Sequence, residues 1–355
     1  MENLTSIRMI AVDMDGTLLG SDGRVSARNL AAMVAAEAAG LQVVVATGRR
    51  HCYAMRQLRG LGLADANALV SSNGTVTRML GAGACLINRN FLSTETALLL
   101  CEHLREFRNA LVLTFDRVGV DGEDARGALV VEHMEELHGS IDRWMIANAP
   151  YIEQVSPIER ALVDQDGQAL DPPIQMMVCG TIDRMQRAEA RLLELPGVSV
   201  AGLTSSLSDH AGSGHAESDA AATVALSRTE YPDRDLSIVD ILPAGCSKGA
   251  ALLRLAADWG IRPDEMMAIG DNWNDVSMLK IAGQAVLMEN APDDLKALAT
   301  EKGWTIGSHH DANGVAEAIE RVLATCEQVL EPSNALNQQI SNQQVSSEQM
   351  MSTLA

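Results

Sequence analysis

A chain of 355 residues is long enough for two domains, or for one domain with a large insertion, and its 47% apolar and 21% charged residues mark a globular protein with a substantial core. The 47 acidic against 27 basic residues give a net charge of −20, which repels nucleic acid and anionic membrane surfaces and attracts divalent cations. Nucleic acid and membrane are therefore not expected partners, and with neither a secretory leader pattern nor an apolar run of ~18 residues the expected location is the cytoplasm.

Residues 7 to 12 form a short apolar run with β-branched members, which predicts a buried strand ending at "DMDGT". Ser26 is placed to cap the Ala-rich helix "ARNLAAMVAAEAAG", closed by Gly40. "LQVVVATGR" reads as a second buried strand, "HCYAMRQLRGLG" as a helix and "ALVSSNG" as a third strand. Continuous apolar strands alternating with helices predict an α/β fold with a Rossmann-like parallel sheet covered on both faces. The same grammar returns after residue 243. "SKGAALLRLAADWG" is a helix, "MMAIGDNWND" a strand ending in acidic residues, "VSMLKIAG" a helix, "QAVLME" a strand, and two further helices follow. Residues 1–82 and 243–330 are thus expected to form one α/β core.

The middle, 83–242, mixes the strand-like "ALVLTFDRV", "ALVVEHM", "IQMMVCG" and "VSVAG" with the helices "TETALLLCEHLREF" and "TIDRMQRAEARLLEL", and ends in the strand pair "ATVALSR" and "DLSIVDI". It is expected to be an inserted α+β domain with its own sheet. "SDHAGSGHAESD" within it reads as a flexible loop, and the Gln/Ser-rich 331–355 as a disordered tail. The six cysteines show no C-x-x-C spacing, which predicts neither a zinc site nor a disulfide framework.

In a parallel α/β sheet, ligands bind beyond the carboxyl ends of the strands. Asp13/Asp15, Thr47/Gly48/Arg49 and Asp271/Asn272/Asn274/Asp275 all fall at predicted strand ends, and Lys248 opens a helix. If those strands are neighbours, Asp13, Asp271 and Asp275 converge, and their repulsion calls for a cation. Mg²⁺ suits carboxylates that also share a phosphate. Lys248 and the Thr47 hydroxyl supply what an anion requires, so the set amounts to a phosphoryl-transfer site. The competing readings are structural: Asp13 and Asp15 as turn residues, Lys248 as a solvated helix-start lysine, Arg49 and Arg50 as surface or structural residues, His210 and His215 as loop residues, and His309 and His310 on a surface turn.

"DMDGTLL", "VVVATGR", "GCSKGAAL" and "IGDNWNDVSML" resemble, in order, the four motifs of the haloacid dehalogenase superfamily. Their spacing resembles the Cof-type phosphatases, which carry a large cap domain between the second and third motifs; "SSNG" and "NGVAEAI" are similar to further family features. The resemblance implies Asp13 as the nucleophile that takes the phosphoryl group, Asp15 as the general acid and base, and Thr47 and Lys248 as the phosphate-holding pair. It implies Mg²⁺ on Asp271, Asp13 and the backbone carbonyl of Asp15, with Gly48 and Asn274 at the phosphate and Asn272 and Asp275 in support. The expected function is a Mg²⁺-dependent phosphatase acting on a small soluble phosphomonoester, such as a sugar phosphate, nucleotide or cofactor phosphate. A sugar phosphomutase with the same aspartate pair and a non-catalytic phosphate-binding protein are the alternatives. The sequence fixes neither the substrate nor an oligomeric state.

Overall fold

The computed structural model describes residues 6–81, 83–119, 122–133, 141–200 and 223–325. The expected tail at 331–355, and His210 and His215 in the expected loop, lie outside the described residues.

The apolar run after Ile7 becomes β1 (Met9–Val12), entirely buried. Ser26 caps α1 (Ala27–Ala38) as its sequence position demands, its hydroxyl accepting from the Asn29 N–H. β2 (Gln42–Ala46), α2 (His51–Leu58) and β3 (Ala68–Ser71) follow. Two strands absent from the sequence reading come next: β4 (Val76–Met79) and β5 (Leu86–Arg89). They are short and polar, with Thr77, Arg78, Asn88 and Arg89 breaking any apolar run.

The middle of the chain contains α3 (Thr94–His103), β6 (Leu111–Thr114), β7 (Leu129–Val131), α4 (Asp142–Asn148), β8 (Ile152–Gln154), β9 (Gln175–Gly180), α5 (Ile182–Leu192), β10 (Val198–Val200), β11 (Val224–Tyr231) and β12 (Leu236–Pro243). The chain then returns through α6 (Lys248–Asp258), β13 (Met266–Gly270), α7 (Val276–Ile281), β14 (Gln284–Leu287), α8 (Asp293–Lys302), β15 (Thr305–Ile306) and a last helix over 314–325.

Two sheets result. The first has eight strands in the order β15-β14-β13-β1-β2-β3-β4-β5. β15 through β3 run parallel, while β4 and β5 add an antiparallel edge. This sheet extends past the expected break at 82 to Arg89. β1 sits at its centre, paired with β2 on one side and β13 on the other. Strand alternation divides its side chains. Ile10 and Val12 pack with Met33, Met55 and Ile319, whereas Met9 and Ala11 pack with Leu252, Met278 and Leu295. Both faces are therefore covered by helices.

The second sheet has seven strands, β10-β11-β12-β9-β6-β7-β8. One face packs on α3 and α5 through Leu100, Met185 and Leu192. The opposite face carries Met177, Cys179, Leu236 and Leu129 with Trp144 of α4, and it looks toward the carboxyl ends of the first sheet's strands. Among the described residues five cysteines are unpaired; Cys52, Cys101, Cys179 and Cys246 are buried and Cys85 is exposed. Among the described residues no helix is long and apolar enough to cross a membrane.

Candidate active site

The order β13-β1-β2 places three polar strand ends side by side. The Asp13 N–H donates to the Ile269 carbonyl at 2.9 Å, which prolongs the β1–β13 pairing by one residue and fixes Asp13 at the carboxyl end of β1. Two residues later Gly16 turns the chain with φ +78°. A side chain is excluded here twice over: the backbone is left-handed, and a Cβ would lie 2.8 Å from the Asp271 Cγ. The tight turn brings the Thr17 hydroxyl to donate to Asp271 Oδ1 at 2.9 Å. Asn290 Nδ2 donates to the Gly16 carbonyl at 2.8 Å and to Asp271 Oδ2 at 3.3 Å, so both oxygens of Asp271 are held.

Lys248 begins α6, capped by the Ser247 hydroxyl. Its ammonium is fully buried and donates to Asp13 Oδ1 at 2.5 Å and to Asp275 Oδ1 at 2.6 Å. The second oxygen of Asp275 accepts from the backbone N–H groups of Asp271 (2.9 Å) and Asn272 (3.0 Å), which folds the acidic loop around it. Ligand oxygens of Asp13, Asp271 and Asp275 all lie within 4.8 Å of one another. Burial, then the charges of Asp275 and Asp15, push the Asp13 carboxyl up to about 7 against the opposing pull of Lys248. Burial followed by Asp13 and Asp275 raises Asp271 well above the ordinary carboxylate range. Asp13 and Asp275 in turn hold the Lys248 ammonium above its ordinary value against the opposite effect of burial. One ammonium thus faces three buried carboxylates. The donor set, all hard oxygens with an excess of negative charge, fits a small divalent cation.

On the other side of Asp13, the Thr47 N–H continues β2 onto the Val70 carbonyl at 2.8 Å, and the buried Thr47 hydroxyl accepts from the Arg49 N–H at 3.1 Å. A Cβ on Gly48 would sit 3.3 Å from the Asn73 amide and 3.6 Å from that of Asn274. Asn73 itself is left-handed, with φ 52°. Its Oδ1 accepts from Asn274 Nδ2 at 3.2 Å, and its Nδ2 donates to Asp240 Oδ2 at 2.8 Å. Asp240 belongs to β12 of the second sheet; burial pushes it up to about 7, opposed by the Asn73 hydrogen bond and by Lys248.

Every residue assigned to phosphate or cation binding or to catalysis from the sequence lies at this one mouth, in two layers. Asp13, Asp15, Gly48, Asn272 and Asn274 line a cavity of about 720 Å³ between the two sheets. Thr47, Lys248, Asp271 and Asp275 stand behind its wall. Asn272 turns toward the second sheet: its Oδ1 accepts from the Glu230 N–H at 3.0 Å and its Nδ2 donates to the Glu230 carbonyl at 2.9 Å.

Other residues at the site had only weak sequence signals. Arg49, read as a surface or structural residue, donates to both oxygens of Asp15 (2.7 and 2.5 Å) and lies 4.9 Å from the Tyr53 ring. Arg50 is structural, buried between Asp124 and Asn148 of the second sheet's domain. Asn73 stands out only as part of "SSNG", a stretch similar to a family feature and given no role, and Asp240 and Asn290 had no signal. His309, His310 and Asp311 do cluster, on a short 3₁₀ turn away from this mouth, where the Ser21 hydroxyl donates to Asp311 Oδ2 at 2.6 Å.

The chain matches the model of the haloacid dehalogenase-like hydrolases over residues 10–206 and 219–319, with the expected loop falling in the gap. It is 29% identical to a 5-amino-6-(5-phospho-D-ribitylamino)uracil phosphatase, YwtE, of Bacillus subtilis over 90% of this chain and 99% of that one. It is 28% identical to the phosphatase YwpJ of the same organism over 89% of this chain and 100% of that one. A solved haloacid dehalogenase-like hydrolase from B. subtilis superposes with a TM-score of 0.64 at 22% identity, covering 88% of this chain and 99% of that one. With four ordered motifs gathered at one set of strand ends and a family model spanning most of its length, the chain belongs to the haloacid dehalogenase-like hydrolases.

Proposed function

We propose that this chain is a phosphatase that hydrolyses a small phosphomonoester through an aspartyl-phosphate on Asp13. The observation that carries the reading is the Lys248 clamp. A buried ammonium bonded to both Asp13 and Asp275 holds one Asp13 oxygen in place, and Asp13 itself lines the cavity. The named activities of the two B. subtilis relatives agree with it.

In the first step an Asp13 oxygen attacks phosphorus, and the ester oxygen departs with a proton from Asp15. In the second, Asp15 accepts a proton from water as that water attacks the same phosphorus, which releases inorganic phosphate and restores Asp13. The two roles fall on separate residues of the strand end: Asp13 directly follows β1 and Asp15 lies in the turn after it. Arg49 orients Asp15 at the cavity mouth with two bonds. Thr47, Gly48 and Asn274 surround the position of the transferred group, with Lys248 behind it. Asp13, Asp271 and the Asp15 carbonyl would hold Mg²⁺, which supplies positive charge against the phosphate oxygens. The second sheet acts as a cap, fastened over the site by the Asn272–Glu230, Asn73–Asp240 and Arg50–Asp124 contacts.

Acid quenching during turnover, followed by peptide mass analysis, tests the mechanism. A phosphoryl group on the peptide containing Asp13 is expected, together with release of free phosphate. Turnover with no covalent adduct would remove Asp13 as the nucleophile, and an isomerised phosphate ester as product would make the enzyme a mutase.

A further inference from the structure

A second cluster of ligating side chains lies outside the active site. One ring nitrogen from each of His309 and His310 and a carboxylate oxygen of Asp311 fall within 4.8 Å of one another. Consecutive side chains in an extended strand point apart. The turn here instead brings the two imidazoles together, with ring centroids 4.4 Å apart. His309 Nδ1 lies 3.9 Å and His310 Nε2 3.4 Å from Asp311 Oδ2.

A serine beside a histidine and an aspartate invites a nucleophilic reading, which the geometry excludes. Ser21 Oγ is 3.1 Å from His310 Nε2, but its proton goes to Asp311 Oδ2 at 2.6 Å, and Asp311 meets the same ring nitrogen as the serine. A triad needs the carboxylate on the other nitrogen.

Several features fit a metal instead. His309 Nδ1 accepts from the Asp311 N–H at 3.2 Å, so its lone pair is turned toward Asp311. His310 Nδ1 is buried without a hydrogen-bond partner among the described residues, so Nε2 alone anchors this ring. Ser21 holds both oxygens of Asp311, through its N–H at 2.8 Å and its hydroxyl, as a partner behind a metal ligand does. The separations of 3.4 and 3.9 Å approach the edge of about 3.2–3.6 Å that bonds of ~2.0–2.2 Å set in a tetrahedron. Asp22 lines the same small hollow and offsets the charge of Arg24 there. Two imidazoles with one carboxylate suit a borderline ion such as Zn²⁺, whereas Mg²⁺ and Ca²⁺ prefer oxygen alone, as at the active site.

We propose that His309, His310 and Asp311 bind a transition-metal dication of the Zn²⁺ class, with water completing its shell, and that the ion staples the loop after β1 to the turn before the last helix. Ser21 is the positioning residue on the loop side. The same turn supports Asn290, whose Oδ1 accepts from the His310 N–H at 3.1 Å and whose Nδ2 reaches Asp271, so the staple lies next to the scaffold of an active-site carboxylate.

The test titrates Zn²⁺ into the full chain, stripped of metal and then placed in excess Mg²⁺ to occupy the all-oxygen site, in competition with a chromophoric chelator. Wild type should take up one equivalent that His309→Ala and Asp311→Asn bind at least about 100-fold more weakly, while Ser21→Ala should lose about 10-fold. Nitrogen-15 spectra of the imidazoles should show His309 and His310 shifting together as that equivalent binds. Zn²⁺ should raise the melting temperature of wild type and leave that of His309→Ala unchanged. In EDTA the two melts should coincide within about 2 °C, which separates lost binding from misfolding. Zn²⁺ affinity equal in wild type, His309→Ala and Asp311→Asn would place the ion elsewhere and overturn the inference, as would no uptake by wild type. Neither readout involves turnover, so the phosphatase reading stands or falls separately.

Discussion

Lys248→Met removes the ammonium that joins Asp13 to Asp275 and keeps much of the side chain's length. The lysine is completely buried, with both ion pairs at 2.5–2.6 Å, so no solvent can take over its role. Deleting one partner of such a cluster costs about 3–5 kcal/mol, because the charges left behind are uncompensated. At about 2–4 °C per kcal/mol for a domain of this size, the melt should fall by about 6–20 °C in EDTA at pH 8. The sign of the pH effect follows from Asp13. Its carboxyl is pushed from 3.8 to about 7, so its contribution to stability is fully present below about pH 4 and is lost as pH rises through 7. In the variant nothing opposes that loss, and a proton can replace the missing ammonium only at low pH. The deficit relative to wild type should therefore be smaller at pH 5 than at pH 8, and added Mg²⁺ should narrow it at pH 8. Thermal melts followed by circular dichroism at the two pH values, with EDTA or with Mg²⁺, make the measurement. A deficit below about 1 kcal/mol that is equal at both pH values would refute the charge accounting, since it would mean that the carboxylates were already neutral or solvated.

Asp13→Asn should abolish phosphate release while the melt stays cooperative; activity above about 1% of wild type in a folded variant would point to another nucleophile. Asp15→Asn should slow the chemical step by about 10²–10⁴-fold with little change in the affinity for a phosphate analogue. A parallel fall in that affinity would contradict a proton-transfer role. EDTA should silence the enzyme and Mg²⁺ restore it, with Ca²⁺ a poor replacement because it prefers more and longer ligands; full turnover in metal-free buffer would sink the cation assignment. Gly16→Ala should cost about 1–2 kcal/mol in stability for the left-handed backbone and reduce kcat by about 100-fold as the new Cβ displaces Asp271. Wild-type turnover in that variant would show that the carboxylate's position is not critical.

The parts of this molecule that sequence reasoning reaches are those with local signatures. Apolar strands such as 42–46, a Ser cap at 26 and the polar strand ends at 13, 47 and 271 each sit within a few residues of what defines them. The strands β4 and β5 left no such trace, because Arg78 and Arg89 within them are placed by their shared partner Asp116 rather than by alternation. The partner of Arg49 is hidden in the sequence for a related reason. A consecutive Arg pair looks like a solvated surface until the fold brings Asp15 to one guanidinium and Asp124 to the other. Asp240 contacts Asn73 across 167 residues of sequence, and no periodicity encodes a contact of that span.

The position of β1 between β2 and β13 also bears on the order in which the chain folds. Met9 pairs with Met266, so β1 cannot join β13 until about three-quarters of the 355-residue sequence is available. The second sheet, by contrast, is closed within itself, and it ties its own entry point to its middle through the Leu92 N–H and the Pro173 carbonyl at 2.9 Å. Formation of that sheet first would shorten the loop between the halves of the first sheet roughly tenfold, lowering its closure cost by about 2 kcal/mol. Pulse-labelled hydrogen exchange should find the amides of Val178 and Val239 protected before those of Ile10 and Ala268, and the reverse order would defeat the idea. On this route Asp13 meets Lys248 only in the final assembly step, so a nascent chain cut short before Gly270 would hold a finished cap over a site that does not yet exist.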